Sequence, residues 1–265
     1  MHSKFQIPHS KFALCSNSPV HRFFAPALDP GDETVALPRA EGEHLARVMR
    51  IGVGDTVAVF DGRGHEWLAR VASILRRDVR VQLVKRVEPA AETAVALTLA
   101  QSVLKTDRMD DVVRDAVMLG VSAIQPIVTK RTEVTVAALM RGARPDRWRR
   151  VALASVKQSR RAVLPEVRMP MTLDTLLAEP AQALRLMLVE PGATSDAESL
   201  AAIHQSAPPP DALLMVGPEG GWTAEECGAA AAHGVRLVTL GNRTLRADAV
   251  PVAAISVLQF LWKDL

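Results

Sequence analysis

Three short segments concentrate the residues that could do chemistry: Val189-Glu190-Pro-Gly-Ala193, Gly217-Pro218-Glu219-Gly220-Gly221-Trp222 and Leu240-Gly241-Asn242-Arg-Thr-Leu245-Arg246-Ala-Asp248. Each follows an apolar run of the kind that forms a buried strand, and in open α/β sheets ligands bind where such strands end. The second and third segments carry glycine at the strand exit, where the missing Cβ lets backbone turn sharply or come close to a ligand. A strand-to-helix turn containing glycine is also ordinary geometry, so no single loop decides the matter.

Several other chemistries are disfavoured by what is missing from the sequence. No Gly-x-x-x-x-Gly-Lys-[Ser/Thr] occurs, and the Gly52-Val-Gly54 pattern precedes a strand without the third glycine or the helix that a dinucleotide site needs. The seven histidines form no helical His-x-x-x-His pair and Cys15 and Cys227 lie far apart, so no metal is expected. There is no Gly-x-Ser-x-Gly elbow either.

The elements that must position these loops fall into two regions. From residue 22 to about 87 the pattern is β-rich, with strands expected at 34–37, 56–60, 66–75 and 78–84 and one amphipathic helix at 43–50. This suggests a small barrel, followed by a linker at 87–92. Beyond it, continuous apolar runs at 95–100, 123–128, 184–189, 212–216 and 235–240 read as parallel strands covered on both faces. Helical patterns are expected at 107–119, 146–159, 224–232 and 249–262, the third opening with a Thr223-Ala-Glu-Glu226 capping box. The fold class is therefore α/β with a mostly parallel sheet, a loose extension at 1–20, a small domain at 21–88 and a larger one at 93–265.

The 265 residues are 48% hydrophobic, enough for substantial cores, and carry a net charge of only +3. The distribution of charge says more than the total. Between Arg141 and Arg161 eight basic residues face Asp146 alone, which is either a phosphate-binding surface or a solvated helix face. No apolar run approaches the roughly 18 to 20 residues of a membrane span, and no signal peptide is evident. A soluble, cytoplasmic protein is expected.

The order Gly217-Pro-Glu-Gly-Gly221, Leu240-Gly241, Leu245-Arg246 and a helix resembles the 16S ribosomal RNA uracil-N3 methyltransferases of the SPOUT superfamily. The resemblance extends through Leu119-Gly-Val121, Pro126, Gln158-Ser159 and Pro165-Glu166, and through Arg22-Phe-Phe24, His44, Val48-Met-Arg50 and Phe60-Asp-Gly62. It covers about residues 22–265. The chain departs from the family pattern at Met118, at Lys157-Gln-Ser-Arg-Arg161 and at Ala247-Asp248-Ala249.

The resemblance implies a PUA-like RNA-binding β-barrel joined to a SPOUT domain with a deep trefoil knot. It also implies that S-adenosylmethionine is cradled by Val189, Glu190, Gly217, Pro218, Glu219, Gly220, Gly221, Leu240, Gly241, Asn242, Leu245 and Arg246. Gly220→Val is then expected to block that cofactor. The implied partners are 16S rRNA or the small ribosomal subunit and a second copy of the chain, with no membrane and no metal. Arg22, Arg47, Arg50, Arg147, Arg150, Arg160 and Arg161 are expected to grip phosphates, with Trp148 or Trp222 available to stack on a base.

Arg246 is the candidate catalytic residue, stabilising charge on the uracil oxygens as N3 loses its proton, or else bracing Asp248. Glu219 is expected to organise its loop by capping donors near Thr223. Two further readings stay open: an RNA-binding protein with a degenerate knot domain, and a SPOUT methyltransferase with another RNA target.

Overall fold

The computed structural model describes residues 20–76, 78–203 and 207–264, so almost all of the expected extension, Cys15 included, lies outside the described residues. The first region forms β1 (Arg22–Phe24), β2 (Thr34–Ala36), α1 (Arg39–Glu43), β3 (Thr56–Phe60), β4 (Glu66–Leu75) and β5 (Asp78–Val87). These strands pair in the order β1-β3-β4-β5-β2, antiparallel except for β1 with β3. Alternation along β4 and β5 turns Trp67, Ala69, Val71, Val79 and Val81 inward onto Phe23, Leu28 and Leu45.

The helix starts earlier than expected and then widens into a π turn, His44–Val48. Gly42 explains why periodicity missed its first turn. The helix lies so close to β5 that a Cβ on Gly42 would sit 2.9 Å from Val79 Cγ2, so the contacting residue there carries no apolar side chain to detect.

The second region contains β6 (Ala96–Ser102), α2 (Arg108–Met118), β7 (Ala123–Val128), α3 (Val136–Arg141), α4 (Arg144–Ser159), β8 (Glu166–Val167), β9 (Met171–Thr172) and α5 (Leu173–Ala178). It continues with β10 (Leu184–Leu188), β11 (Glu198–Ser199), β12 (Asp211–Val216), α6 (Ala224–Ala232), β13 (Arg236–Thr239) and α7 (Val250–Leu261). Its sheet runs β11-β13-β10-β12-β6-β7-β8, with β9 also pairing to β7, and the pairings are parallel.

Both faces are covered, as the unbroken apolar strands require. Met109 and Val112 of α2, Trp148 of α4 and Ile255 of α7 pack with Leu186 and Leu214 on one face. Leu173 and Leu176 of α5 and Ala230 of α6 pack with Met187 and Met215 on the other. Trp148 is thus a core residue and not a base platform.

Two of the arginines expected to grip phosphate are instead engaged inside the fold: Arg22 joins the two regions, and Arg161 ties the linker to the second. The Arg22 guanidinium forks onto Glu66 at 2.9 and 2.8 Å and donates to the carbonyls of Val156, Lys157 and Arg161 at 2.9, 3.0 and 2.8 Å. Those carbonyls lie at and just beyond the C-terminal turn of α4, where helical partners run out and a cation is favoured. Lys157 Nζ reaches back to Glu41 at 2.5 Å.

Arg161 is only 5% exposed, pairs with Glu92 and donates to the carbonyls of Val117 and Val121. Removing one partner of such a buried pair leaves uncompensated groups behind. Arg161→Ala is therefore expected to lower stability by roughly 3 kcal/mol, the low end for a buried pair because Glu92 keeps some solvent contact. Urea unfolding followed by circular dichroism measures it, and an unshifted midpoint would show that the pair contributes nothing.

Candidate active site

In the parallel register Leu188 of β10 lies beside Val216 of β12 on one side and Val238 of β13 on the other. The three strands therefore end level with one another, and the three glycine- and proline-bearing segments leave the sheet side by side. A cleft of about 350 Å³ opens there. Of the residues expected to hold a cofactor, Val189, Glu190, Gly217, Pro218, Glu219, Gly221, Leu240, Leu245 and Arg246 line it.

Gly220, Gly241 and Asn242 are not among the lining residues. Gly220 faces away: a Cβ built there would meet the Cβ and Cδ of Arg131 at 3.3 Å, and the Arg131 guanidinium donates to the Gly220 carbonyl at 2.6 Å.

The loops brace one another through the glycines. A Cβ at Gly217 would lie 3.1 Å from Trp222 Nε1, and that indole nitrogen donates to the Leu188 carbonyl at 2.7 Å, tying the second loop to the exit of β10. Trp222 is therefore part of the cleft wall. Gly221 has φ +69°, and its Cβ would lie 3.2 Å from Glu190 Oε1 on the first loop. Only glycine takes that backbone conformation without strain.

Glu219 is a loop organiser, but for a different loop than expected. Its Oε1 accepts from the Lys105 backbone at 3.0 Å and lies 3.8 Å from Arg108 Nη1. Capping of the Thr223 helix falls to Glu226, which accepts from the Thr223 backbone at 2.9 Å while the Thr223 hydroxyl accepts from Glu226 N–H at 3.2 Å. Lys105 and Arg108 follow β6, the other neighbour of β12, so a fourth strand exit joins the site. It carries no glycine, and only the strand order reveals it.

The cleft brings both signs of charge together, with Glu190 and Glu219 against Arg108, Arg243 and Arg246. Arg246 Nε lies 3.3 Å from Asp248 Oδ1, and the Arg246 side chain is 68% exposed. Cys227 on α6 is half-buried, and burial with the neighbouring Glu226 pushes its thiol up from the ordinary range. Among the described residues no His, Cys, Asp and Glu cluster could hold a metal ion, and no helix is long and apolar enough to cross a membrane.

Much of the basic segment is already partnered. Arg147 pairs with Asp107 and Asp110, Arg149 with Asp146, and Arg144 donates to the Leu104 carbonyl while stacking on Trp148. Arg150 and Arg160 remain exposed, as do Arg47 and Arg50. Arg160, in the left-handed conformation at the end of α4, borders a large groove that also includes His21, His44 and Gln158.

The chain is similar over most of its length to known proteins. The Ribosomal RNA small subunit methyltransferase E of Synechocystis sp. is 32% identical over 230 residues, 87% of this chain and 74% of that protein. The protein of the same name from Aquifex aeolicus is 29% identical over 84% of this chain and 92% of its own length.

Among solved structures, the Neisseria gonorrhoeae Ribosomal RNA small subunit methyltransferase E bound to S-adenosyl methionine superimposes with a TM-score of 0.82 at 32% identity, covering 92% of this chain and 98% of that one. A Legionella pneumophila protein solved with bound cofactor SAM gives 0.83 at 28% identity, with the same coverage. Residues 37–84 match the RNA methyltransferase PUA domain and residues 91–259, which hold every loop of the cleft, match the RNA methyltransferase domain: the chain belongs to the RNA methyltransferase family.

Proposed function

We propose that this chain transfers a methyl group from S-adenosylmethionine to N3 of a uridine in 16S rRNA of the small ribosomal subunit. It works in the cytoplasm as a homodimer, with residues 21–88 as the RNA-binding module and 93–265 as the catalytic one. The observation that carries the reading is the level ending of β10, β12 and β13 on one glycine-walled cleft. The relatives named as small-subunit rRNA methyltransferases, one of them solved with this cofactor, support it.

The groups at the cleft fit S-adenosylmethionine. Gly217 and Gly221 leave room that a Cβ would fill, Val216 and Leu240 supply apolar wall, and Glu190 and Glu219 would offset the positive charge of a sulfonium held there. When bound, the cofactor supplies a methyl group activated by that positive charge.

What remains for the protein is alignment and charge. The loops hold the donor in line with the ring nitrogen, which lowers the entropic part of the barrier. Arg246 stabilises the negative charge on the uracil oxygens as the N3 proton leaves. A paired or stacked uracil must first be exposed, and the RNA-binding module supplies the grip that offsets this cost.

Dimerisation is supported by α7. Ile255 and Leu258 are buried against the chain's own sheet, while Phe260 is 73% exposed and Val252 and Val257 are half-buried. Val250 of the same helix lines the cleft.

The reading is tested by incubating the protein with labelled S-adenosylmethionine and unmodified small subunits, then digesting the RNA for mass spectrometry. N3-methyluridine is the expected product, and methylation at another atom or none at all would overturn the assignment. Sedimentation at micromolar concentration is expected to give a dimer, and an active monomer would remove the second copy from the reading.

A further inference from the structure

The first sheet carries a feature that the cleft does not use. Three arginines, Arg39 on α1 and Arg47 on the π turn that continues it, with Arg76 just after β4, surround a hollow of about 290 Å³ completed by Glu43. Beside it, and sharing those four residues, is a slot of about 240 Å³ walled by Leu37, Ala46, Ile74 and Val79. A site with arginines at one end and aliphatic side chains at the other has two chemical halves.

Charge decides what the hollow takes. Glu43 accepts from Arg39 at 2.9 Å and so holds one guanidinium in place. Arg47 and Arg76 are exposed and have no carboxylate partner among the described residues. Cations gathered around one hollow repel one another, and an anion relieves that repulsion. Guanidinium donors match phosphate oxygens in pairs, and guanidinium planes also stack on exposed bases.

We propose that this hollow and slot form a nucleotide cup for the substrate RNA. One phosphodiester sits on Arg39, Arg47 and Arg76, and its sugar or base lies against the aliphatic slot. The inference rests on the reading of RNA as substrate and adds where the first sheet touches it. It puts Arg39 and Arg76 alongside Arg47 as contacts, and it assigns no phosphate contact to the buried Arg22 and Arg161.

The test compares the full chain with an Arg47→Ala/Arg76→Ala variant, titrating each with transcribed 16S rRNA over a range of salt. Losing the grip on that one phosphodiester is expected to make the slope of log affinity against log salt shallower by about 0.7. An Arg47→Lys/Arg76→Lys variant should recover most of that slope, since the charges are restored. Calorimetric affinity for S-adenosylmethionine should stay unchanged in both variants, because neither residue is near the cleft loops in the fold. An unchanged slope in the Arg47→Ala/Arg76→Ala variant, with a wild type that binds and methylates the RNA, overturns the cup and leaves the proposed function standing. A wild type that neither binds nor methylates 16S rRNA overturns both.

Discussion

Arg246→Ala is expected to lower the single-turnover methylation rate by about 10² while leaving affinity for cofactor and RNA nearly unchanged. The contact with Asp248 cannot account for an effect of that size. It spans 3.3 Å between side chains 68% and 27% exposed, and pairs this open to water contribute about 1 kcal/mol or less. A 10² loss corresponds to roughly 2.7 kcal/mol.

The loop itself survives the substitution, because the Arg246 carbonyl still accepts from Ala249 and Val250 at 2.9 and 3.1 Å. Asp248→Asn should then cost less than about fivefold, the size expected of losing one exposed pair. Rapid-quench single-turnover assays with calorimetry on both variants separate the roles. If the two variants are equally slow and both bind S-adenosylmethionine weakly, Arg246 braces the loop. If Arg246→Ala is fully active, the residue leaves the mechanism.

The parts of this fold that were legible in the sequence are those where local pattern and tertiary role coincide. Apolar runs at 123–128 and 212–216 read as strands covered on both sides, and they form β7 and most of β12. The Thr223 capping box is local chemistry and forms as written. By contrast β8, β9 and β11 are two residues long, too short for any alternation to register.

The convergence of the three loops depends on the order β13-β10-β12, which does not follow the sequence. The same order brings in Arg108 from a strand exit with nothing unusual in its composition. Charge was the least legible property. A count of arginines between 141 and 161 does not reveal that Arg161 is buried against Glu92 or that Arg147 is held by two aspartates. Residue type shows that a cation is present, and only its partners show whether it is free.

The direction in which a loop glycine faces was equally hidden, and it makes the sharpest test of the site. Gly220 and Gly221 are neighbours in one turn, yet a side chain on the first would press on Arg131 and a side chain on the second on Glu190. Gly221→Val is expected to reduce S-adenosylmethionine affinity by about 10² or more. At φ +69° a β-branched residue carries strain of about 1–3 kcal/mol, and its Cβ at 3.2 Å from Glu190 Oε1 must displace a group that lines the cleft.

Gly220→Val enters no comparable conflict. Its φ is not positive, its contacts are the aliphatic part of an exposed arginine that can shift, and its side chain points away from the cofactor loops. Affinity there should change by less than about fivefold, or roughly 1 kcal/mol. Thermal melts of both variants check that each is folded, and calorimetry reads the affinities. Equal losses at the two positions would mean that the cofactor responds to the turn as a whole, and that the cleft has been placed on the wrong side of it.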